Sequence, residues 1–558
     1  MSLEQNESGR AGQADLLEIY SPDIHLPELF AAVANTRDSR LGIVDGKELV
    51  DCAPLRNPAE IRMDYLAAAA FSDFDAVAFW GANLTVPPQY EVKLVEIEKP
   101  PVAELREYID QTWADLTYHA PEDHGTMIGT PYPHLKSGRR YSEGYYWDVF
   151  NGLEGLVLDA GEEPARWDFI VGVLNNFRNL IERFGFIPTA TRSYYLSRSQ
   201  PPKFASMVKL VGEYKPELVE EYLPWVVKEY QWWTKGDEQL KADSEVRAAD
   251  HSVRMPDGSI LARYWDTKDT PRPESQKEDI ETAALLPKVD PRQIYRNLRI
   301  VAETGRDFNG EYLADVERLE TVYADRIIPV DLNALLWEYE DFIAQAHHRA
   351  GRSNQARIFD EKASARAAAM NKYQWVGDNQ TGYYCGFLFD PDFRQGEPTQ
   401  YPSMAMAAAA ARDLAPVERT KSVSQMLVTR FLKRGGYVGS LTRTGHQWDA
   451  PNGWAPDQVE ADAALERTAR LTGEESWNLY RRVARAKFVN VHARIYRRTG
   501  KIVEKCNVID QDPLRVMDGE YPLQDGFLWT NGVLRKFMEK TVICPTMDTI
   551  QKVNKSRI

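Results

Sequence analysis

The sequence predicts an all-α protein, a helical toroid with its site at one end. Apolar residues recur at three- and four-residue spacing through much of the chain, and strand signals are few and short. The helical stretches are joined by loops dense in Gly, Pro, Trp and charged groups, which suit a site more than a linker. A helical solenoid is the alternative, but no fixed-period repeat runs through the chain.

In chain order, residues 1–20 are polar and read as a disordered tail. A short helix over 26–35 precedes a loop-rich region to about residue 100, with 83–87 extended. Residues 102–117 read as helix and 118–145 as a long loop rich in Gly, Pro and His; loops of that length usually carry function or are disordered. Over 162–184, Trp167, Ile170, Leu174, Phe177, Ile181 and Phe184 form one apolar stripe, and Gly185 is a natural stop. Residues 216–234 repeat the pattern with Leu218, Tyr222, Trp225, Val226 and Trp232. Asp331 caps a helix that turns Leu332, Leu335, Leu336, Tyr339 and Ile343 inward. Further helices are expected over 277–303, 354–372, 401–412, 415–434, 456–472, 476–498 and 530–541. In 476–498 the arginines read as a solvated face opposite Trp477, Tyr480, Phe488, Val491 and Ile495. The helices belong to one domain over 21–545, followed by a tail over 546–558.

Composition narrows the function. A net charge of −15 makes nucleic acid and anionic membrane poor partners. The most apolar stretch, 66–82, contains Asp73 and Asp75 and cannot cross a bilayer cheaply. No basic segment followed by an apolar run opens the chain, so the expected location is the cytoplasm. Cys52, Cys385, Cys506 and Cys544 are widely spaced, and the histidines show no metal-ligand spacing, so neither a metal nor a cofactor is expected. The 14 Trp, 27 Tyr and 20 Phe often neighbour charged or amide residues, as in Tyr145-Tyr146-Trp147-Asp148. Flat apolar faces beside hydrogen-bonding groups suit sugar rings.

Six stretches are dense in functional groups: 139–148, 192–202, 263–275, 305–308, 446–456 and 518–533. Arginine forks, indole faces and carboxylates converging on one pocket would bind a polyol. Two carboxylates on opposite sides of a glycosidic bond would supply acid and base. No nucleophile elbow, phosphate loop, dinucleotide fingerprint or HExxH motif is present.

Arg140-Tyr141-Ser142-Glu143-Gly144-Tyr145-Tyr146-Trp147-Asp148 and Gln447-Trp448-Asp449-Ala450-Pro451-Asn452-Gly453-Trp454-Ala455-Pro456 resemble the two signatures of the trehalases, the inverting family 37 of glycoside hydrolases. The stretches 192–202, 271–275 and 520–533, and the early Ser21-Pro22-Asp23-Ile24 and Asp45-Gly46-Lys47, are also similar, so the resemblance covers roughly residues 20–540. It implies an (α/α)6 toroidal barrel whose long loops and few short strands form the active-site face. It implies hydrolysis of the disaccharide α,α-trehalose by a monomer, with Asp307 matching the general acid and Glu520 the general base. Arg140, Arg198 and Arg272 match the arginines around the sugar. Trp147, Asp148, Gln200, Glu274 and Trp448 fall in the sugar-binding motifs, and Ser199, Pro273 and Gly305 complete the candidate set.

Three departures cluster at the site. Arg306 stands where the family usually has Trp, Thr189 where it often has Asn, and Arg515-Val516-Met517-Asp518-Gly519 where it has a run of glycines. A cation beside Asp307 would favour the ionised form, the wrong direction for an acid, unless its side chain points away. Thr189 would lose a sugar contact, and the lost glycines would stiffen or reshape the lid over the base. The departures leave two other readings: a related inverting glycosidase with a different or decorated α-glucoside, read by Arg306 and Arg515, or a sugar-binding homologue without turnover.

Overall fold

The computed structural model describes residues 19–36, 38–43, 45–88, 94–161, 163, 165–240, 244–517, 519 and 523–539. Among these, twelve helices build the body: α1 Leu105–Asp115, α2 Tyr146–Ala160, α3 Arg166–Phe184, α4 Phe204–Gly212, α5 Glu217–Trp233, α6 Val330–Arg349, α7 Ser353–Tyr373, α8 Ala405–Ala410, α9 Val417–Met426, α10 Ala455–Thr472, α11 Ser476–Thr499 and α12 Leu528–Glu539.

The even-numbered helices form an inner ring in which each packs on the next and α12 returns to α2. The odd-numbered helices lie outside them. Each of α3, α5, α7, α9 and α11 follows and packs on its inner partner, and α1 supplies the outer partner of α12. This is the expected (α/α)6 toroid. Its inner helices are the most buried: the six residues of α8, AMAAAA, are all buried. The ring closes where glycines let two backbones touch. A Cβ at Gly155 would lie 2.8 Å from the Gly532 Cα, and one at Gly532 would overlap the Asn151 carbonyl oxygen.

Alternation of inner and outer helices brings every inner N-terminus to the same end, so the loops that enter the inner helices share one face. The loop into α6 is the longest. It carries a three-stranded antiparallel sheet, Ala248–Ala249, Ser252–Arg254 and Ile260–Ala262, and the helices Gln276–Ala284 and Pro291–Glu303. The loops into α10 and α12 are tied by antiparallel strands Asn452–Trp454 and Lys505–Asn507, with Trp454 opposite Lys505.

Several expectations need correction. Helix Pro27–Ala34 falls where the short helix over 26–35 was expected, but the region after it is not loop alone: helices Pro58–Ala68 and Ala76–Asn83 pack there, capped by Asn57 and Asp75. Leu26, Phe30, Ile61 and Trp80 form their own small core against Tyr194 and Tyr195 of the barrel. The helix expected over 277–303 is two helices, separated before Pro291, which takes the first position of the second. Asp331 lies inside α6 rather than at its cap, though the five apolar residues assigned inward are buried. Arg481 and Arg485 do not face solvent. They are buried against α10, where Arg485 Nη2 lies 2.5 Å from Asp462 Oδ2 and Arg481 Nη2 3.1 Å. Gly185 does end α3, at φ 84°. Cys52, Cys385 and Cys506 are buried free thiols, and Cys544 lies outside the described residues. Among the described residues no helix is long and apolar enough to cross a membrane.

Candidate active site

A cavity of about 140 Å³ opens at the N-terminal end of the inner ring, lined from five of the six loops that enter inner helices and from the N-terminal segment around Asp45. Arg140, Trp147, Asp148, Arg198, Gln200, Arg272, Glu274, Gly305, Asp307 and Trp448 all line it. Ser199 and Pro273 do not. The Ser199 hydroxyl donates to the Ile187 carbonyl at 2.6 Å, and Pro273 begins a buried 3-10 turn. Glu520 lies outside the described residues, as do Asp518, Tyr521 and Pro522.

The first signature enters through α2. Tyr145 is the residue before its first turn, so Trp147 and Asp148 fall in that turn, at the positive end of the helix. Asp148 is buried, which pushes its carboxyl up to about 8; the charges of Glu504 and Asp307 add to the rise, while hydrogen bonds from Ser137 and the backbone oppose it. Arg140 pairs with Asp45. In the same signature Glu143 binds Lys47 at 2.9 Å and Arg192 at 3.0 Å, fastening the N-terminal segment to the barrel.

The loop into α4 supplies Arg198 and Gln200. Arg198 Nη2 lies 2.5 Å from Glu274 Oε1 and its Nη1 3.3 Å from Asp266 Oδ2. Burial works to raise the Glu274 carboxyl, but Arg198, Arg272 and Arg299 outweigh it and hold it below its ordinary value. Arg198 Nε and Glu274 Oε2 are buried and take no hydrogen bond among the described residues. They are a donor and an acceptor that a sugar hydroxyl would complete. The Gln200 side-chain carbonyl accepts from the Trp147 backbone N–H at 3.2 Å, joining two of the motifs. Arg272 grips Asp279 through Nη2 at 2.7 Å and Nε at 3.1 Å while still lining the cavity. Each of the three arginines is thus paired with an acid and held in place.

Gly305 and Asp307 follow the helix Pro291–Glu303. A Cβ at Gly305 would sit 2.8 Å from the Trp147 indole. Arg306 turns away from the cavity. Its Nη2 lies 2.9 Å from Asp457 Oδ1 and its Nε 3.4 Å from Asp331 Oδ2. The cation feared beside Asp307 is therefore committed elsewhere. Thr189 lines the cavity, but its hydroxyl donates to the Ser199 carbonyl at 2.7 Å and braces the loop that carries Arg198. Arg515 is exposed and outside the cavity lining; its carbonyl accepts from Asn507 Nδ2 at 2.7 Å. Asn452 Nδ2 donates to the Met517 carbonyl at 2.9 Å and its Oδ1 accepts from the Met517 N–H at 3.1 Å. The altered stretch before residue 518 is thereby pinned by the second signature.

The apolar wall is built of indoles. Trp448 and Trp454 stack with centroids 3.9 Å apart and planes 6° from parallel, and Trp529 meets both edge-on. Trp454, Trp529, Phe527, Tyr141 and Glu504 line the cavity without having been singled out from the sequence. Tyr141 sits in the first signature, Trp454 in the second, and Phe527 and Trp529 in the last dense stretch, so those four were within reach. Glu504 had no such signal, since one acid after a helix carries no motif of its own.

The trehalase family model matches residues 46–542. Among solved structures, the neutral trehalase Nth1 from Saccharomyces cerevisiae is similar at 23% identity, covering 74% of each chain with a TM-score of 0.57. The GH63 mannosylglycerate hydrolase from Thermus thermophilus in complex with Tris is a weaker likeness, 13% identical over 78% of this chain and 100% of that one, TM-score 0.48. The yeast likeness speaks for the fold, whereas the family match spans nearly the whole barrel and every loop that lines the cavity. The chain belongs to the trehalase family of glycoside hydrolases.

Proposed function

We propose that the cavity hydrolyses α,α-trehalose to two glucose molecules with inversion, Asp307 acting as general acid and Glu520 as general base. The observation that carries the reading is Asp307 at the cavity wall among Arg140, Arg198, Arg272 and the Trp147 and Trp448 faces, in a chain of the trehalase family.

Asp307 gives its proton to the bridging oxygen as the bond from that oxygen to one anomeric carbon breaks. Glu520 takes a proton from the water that attacks the same carbon from the opposite face. The two carboxyls of such a pair stand about 6.5–9.5 Å apart, leaving room for the water. The attacked glucose leaves as the β anomer and the other keeps its α configuration. Arg198 and Glu274 hold hydroxyls, and the indoles cover the apolar ring faces. The decorated-substrate reading relied on Arg306 and Arg515, and neither lines the cavity. Glucose release from trehalose by the wild-type chain, lost in a folded Asp307→Asn variant, is the expected result. A variant with near-normal turnover contradicts the role of Asp307.

A further inference from the structure

We propose that Gln447, held by Lys505, is a positioning residue that fixes the backbone of Asp307 relative to the loop leading to Glu520. This rests on the reading of Asp307 as the acid.

Neither Gln447 nor Lys505 lines the cavity. Both are buried. The Gln447 side-chain Nε2 donates to the backbone carbonyl of Asp307, and its Oε1 accepts from Lys505 Nζ at 2.9 Å. The same amide is packed against Gly519, where a Cβ would overlap it. The residue after Gly519 is Glu520. One side chain therefore touches the backbone of the acid and the residue before the base.

Lys505 is itself fixed. It pairs in register with Trp454, its ammonium lies 5.0 Å from the Trp454 ring centroid, and Glu504 Oε2 is 3.3 Å away. Trp454 stacks on Trp448, and Trp448 carries the Arg306 guanidinium at 5.2 Å. Arg306 is the chain neighbour of Asp307, so the contacts form a closed circuit: Asp307, Gln447, Lys505, Trp454, Trp448, Arg306. An inverting reaction needs such a frame, because the carboxyl separation must admit one water and a 1 Å misplacement costs about 100-fold in rate.

The test is steady-state kinetics on α,α-trehalose for wild type, Gln447→Met, Lys505→Met and the double variant, with thermal melts of each. The expected result is a fall in kcat of about 100-fold for Gln447→Met with KM within about threefold, because the ground-state contacts remain. Lys505→Met falls in the same direction, and the double variant is no slower than the slower single, because the two act as one unit. If Gln447→Met fails to fold, Gln447→Glu serves: it keeps the shape and the Lys505 contact but cannot donate to Asp307, and the same loss of kcat is expected. A folded variant at Gln447 with kcat within tenfold of wild type, a rise in KM alone, or multiplicative losses in the double variant overturns the proposal. A wild-type chain that releases no glucose from trehalose overturns the functional reading, and the proposal with it.

Discussion

Arg306 lies over the ring of Trp448, its guanidinium 5.2 Å from the centroid, while its Nη2 meets Asp457 at 2.9 Å. The departure nearest the acid is therefore a support of the cavity wall. Burial raises both Asp331 and Asp457 above the ordinary carboxyl value, with Arg306 opposing the rise. An Arg306→Met variant leaves two buried acids without this cation, and a loss of about 3–5 kcal/mol in unfolding free energy is expected. Without Arg306 the two carboxyls rise further and hold protons that the unfolded chain releases. The loss therefore grows as pH rises above the unfolded value near 4. Urea unfolding at pH 5 and pH 8 measures it; a smaller loss at pH 8 contradicts the account.

Asp148 gives a second pH dependence. Its carboxyl, near 3.8 when unfolded, is pushed up to about 8 in the fold. Between these values the folded chain holds a proton that the unfolded chain has released, so this group's contribution to stability falls as pH rises through the window. Asp148→Asn keeps the shape and has no proton to lose. The stability of Asp148→Asn relative to wild type should climb from pH 5 to pH 8 and level off above. A pH-independent difference would show that Asp148 is ionised throughout.

The ring seam predicts a purely structural effect. Gly532→Ala forces a methyl into the Asn151 carbonyl, and both partners are helix backbone. A loss of roughly 1–3 kcal/mol or more is expected from the overpacking, whereas Ala in an unhindered helix normally stabilises. Denaturant unfolding of Gly532→Ala checks the sign; a stabilised variant would mean that α2 and α12 do not touch there.

Glu520→Gln removes the proposed base and keeps the side chain's size. General base catalysis contributes about 10²–10⁴-fold, so kcat should fall in that range while trehalose still binds. Stopped turnover with retained binding by calorimetry is the expected pair of results; unchanged turnover would move the base elsewhere, with Glu504 the next acid to examine.

Ten of the twelve barrel helices were legible from apolar spacing, α3 with its end marked by Gly185, whereas α2 and α4 were not expected. Of the N-terminal helices, Pro27–Ala34 was expected and those after it were not: Pro58–Ala68 buries only Ile61 and Tyr65, too few to show a period. Arg481 and Arg485 misled because their partner, Asp462, lies on another helix, and charge pairing across helices leaves no periodic trace. Within the long motifs the polar residues that line the cavity were named, apart from Ser275, while Tyr141, Tyr145, Tyr195, Trp454, Phe527 and Trp529 were not, since aromatics there read equally well as core. Gln447 was visible as part of a motif, but its work depends on Lys505 and Asp307, residues brought together only by the fold.

The central claim is inversion at one anomeric carbon of trehalose. The purified chain should be mixed with α,α-trehalose and the released glucose followed by proton NMR from the first minutes, before mutarotation. Equal initial amounts of α- and β-glucose are the predicted result. Release of α-glucose alone would mean retention and contradict the assigned pair of carboxylates, and no release from a folded chain would contradict the substrate.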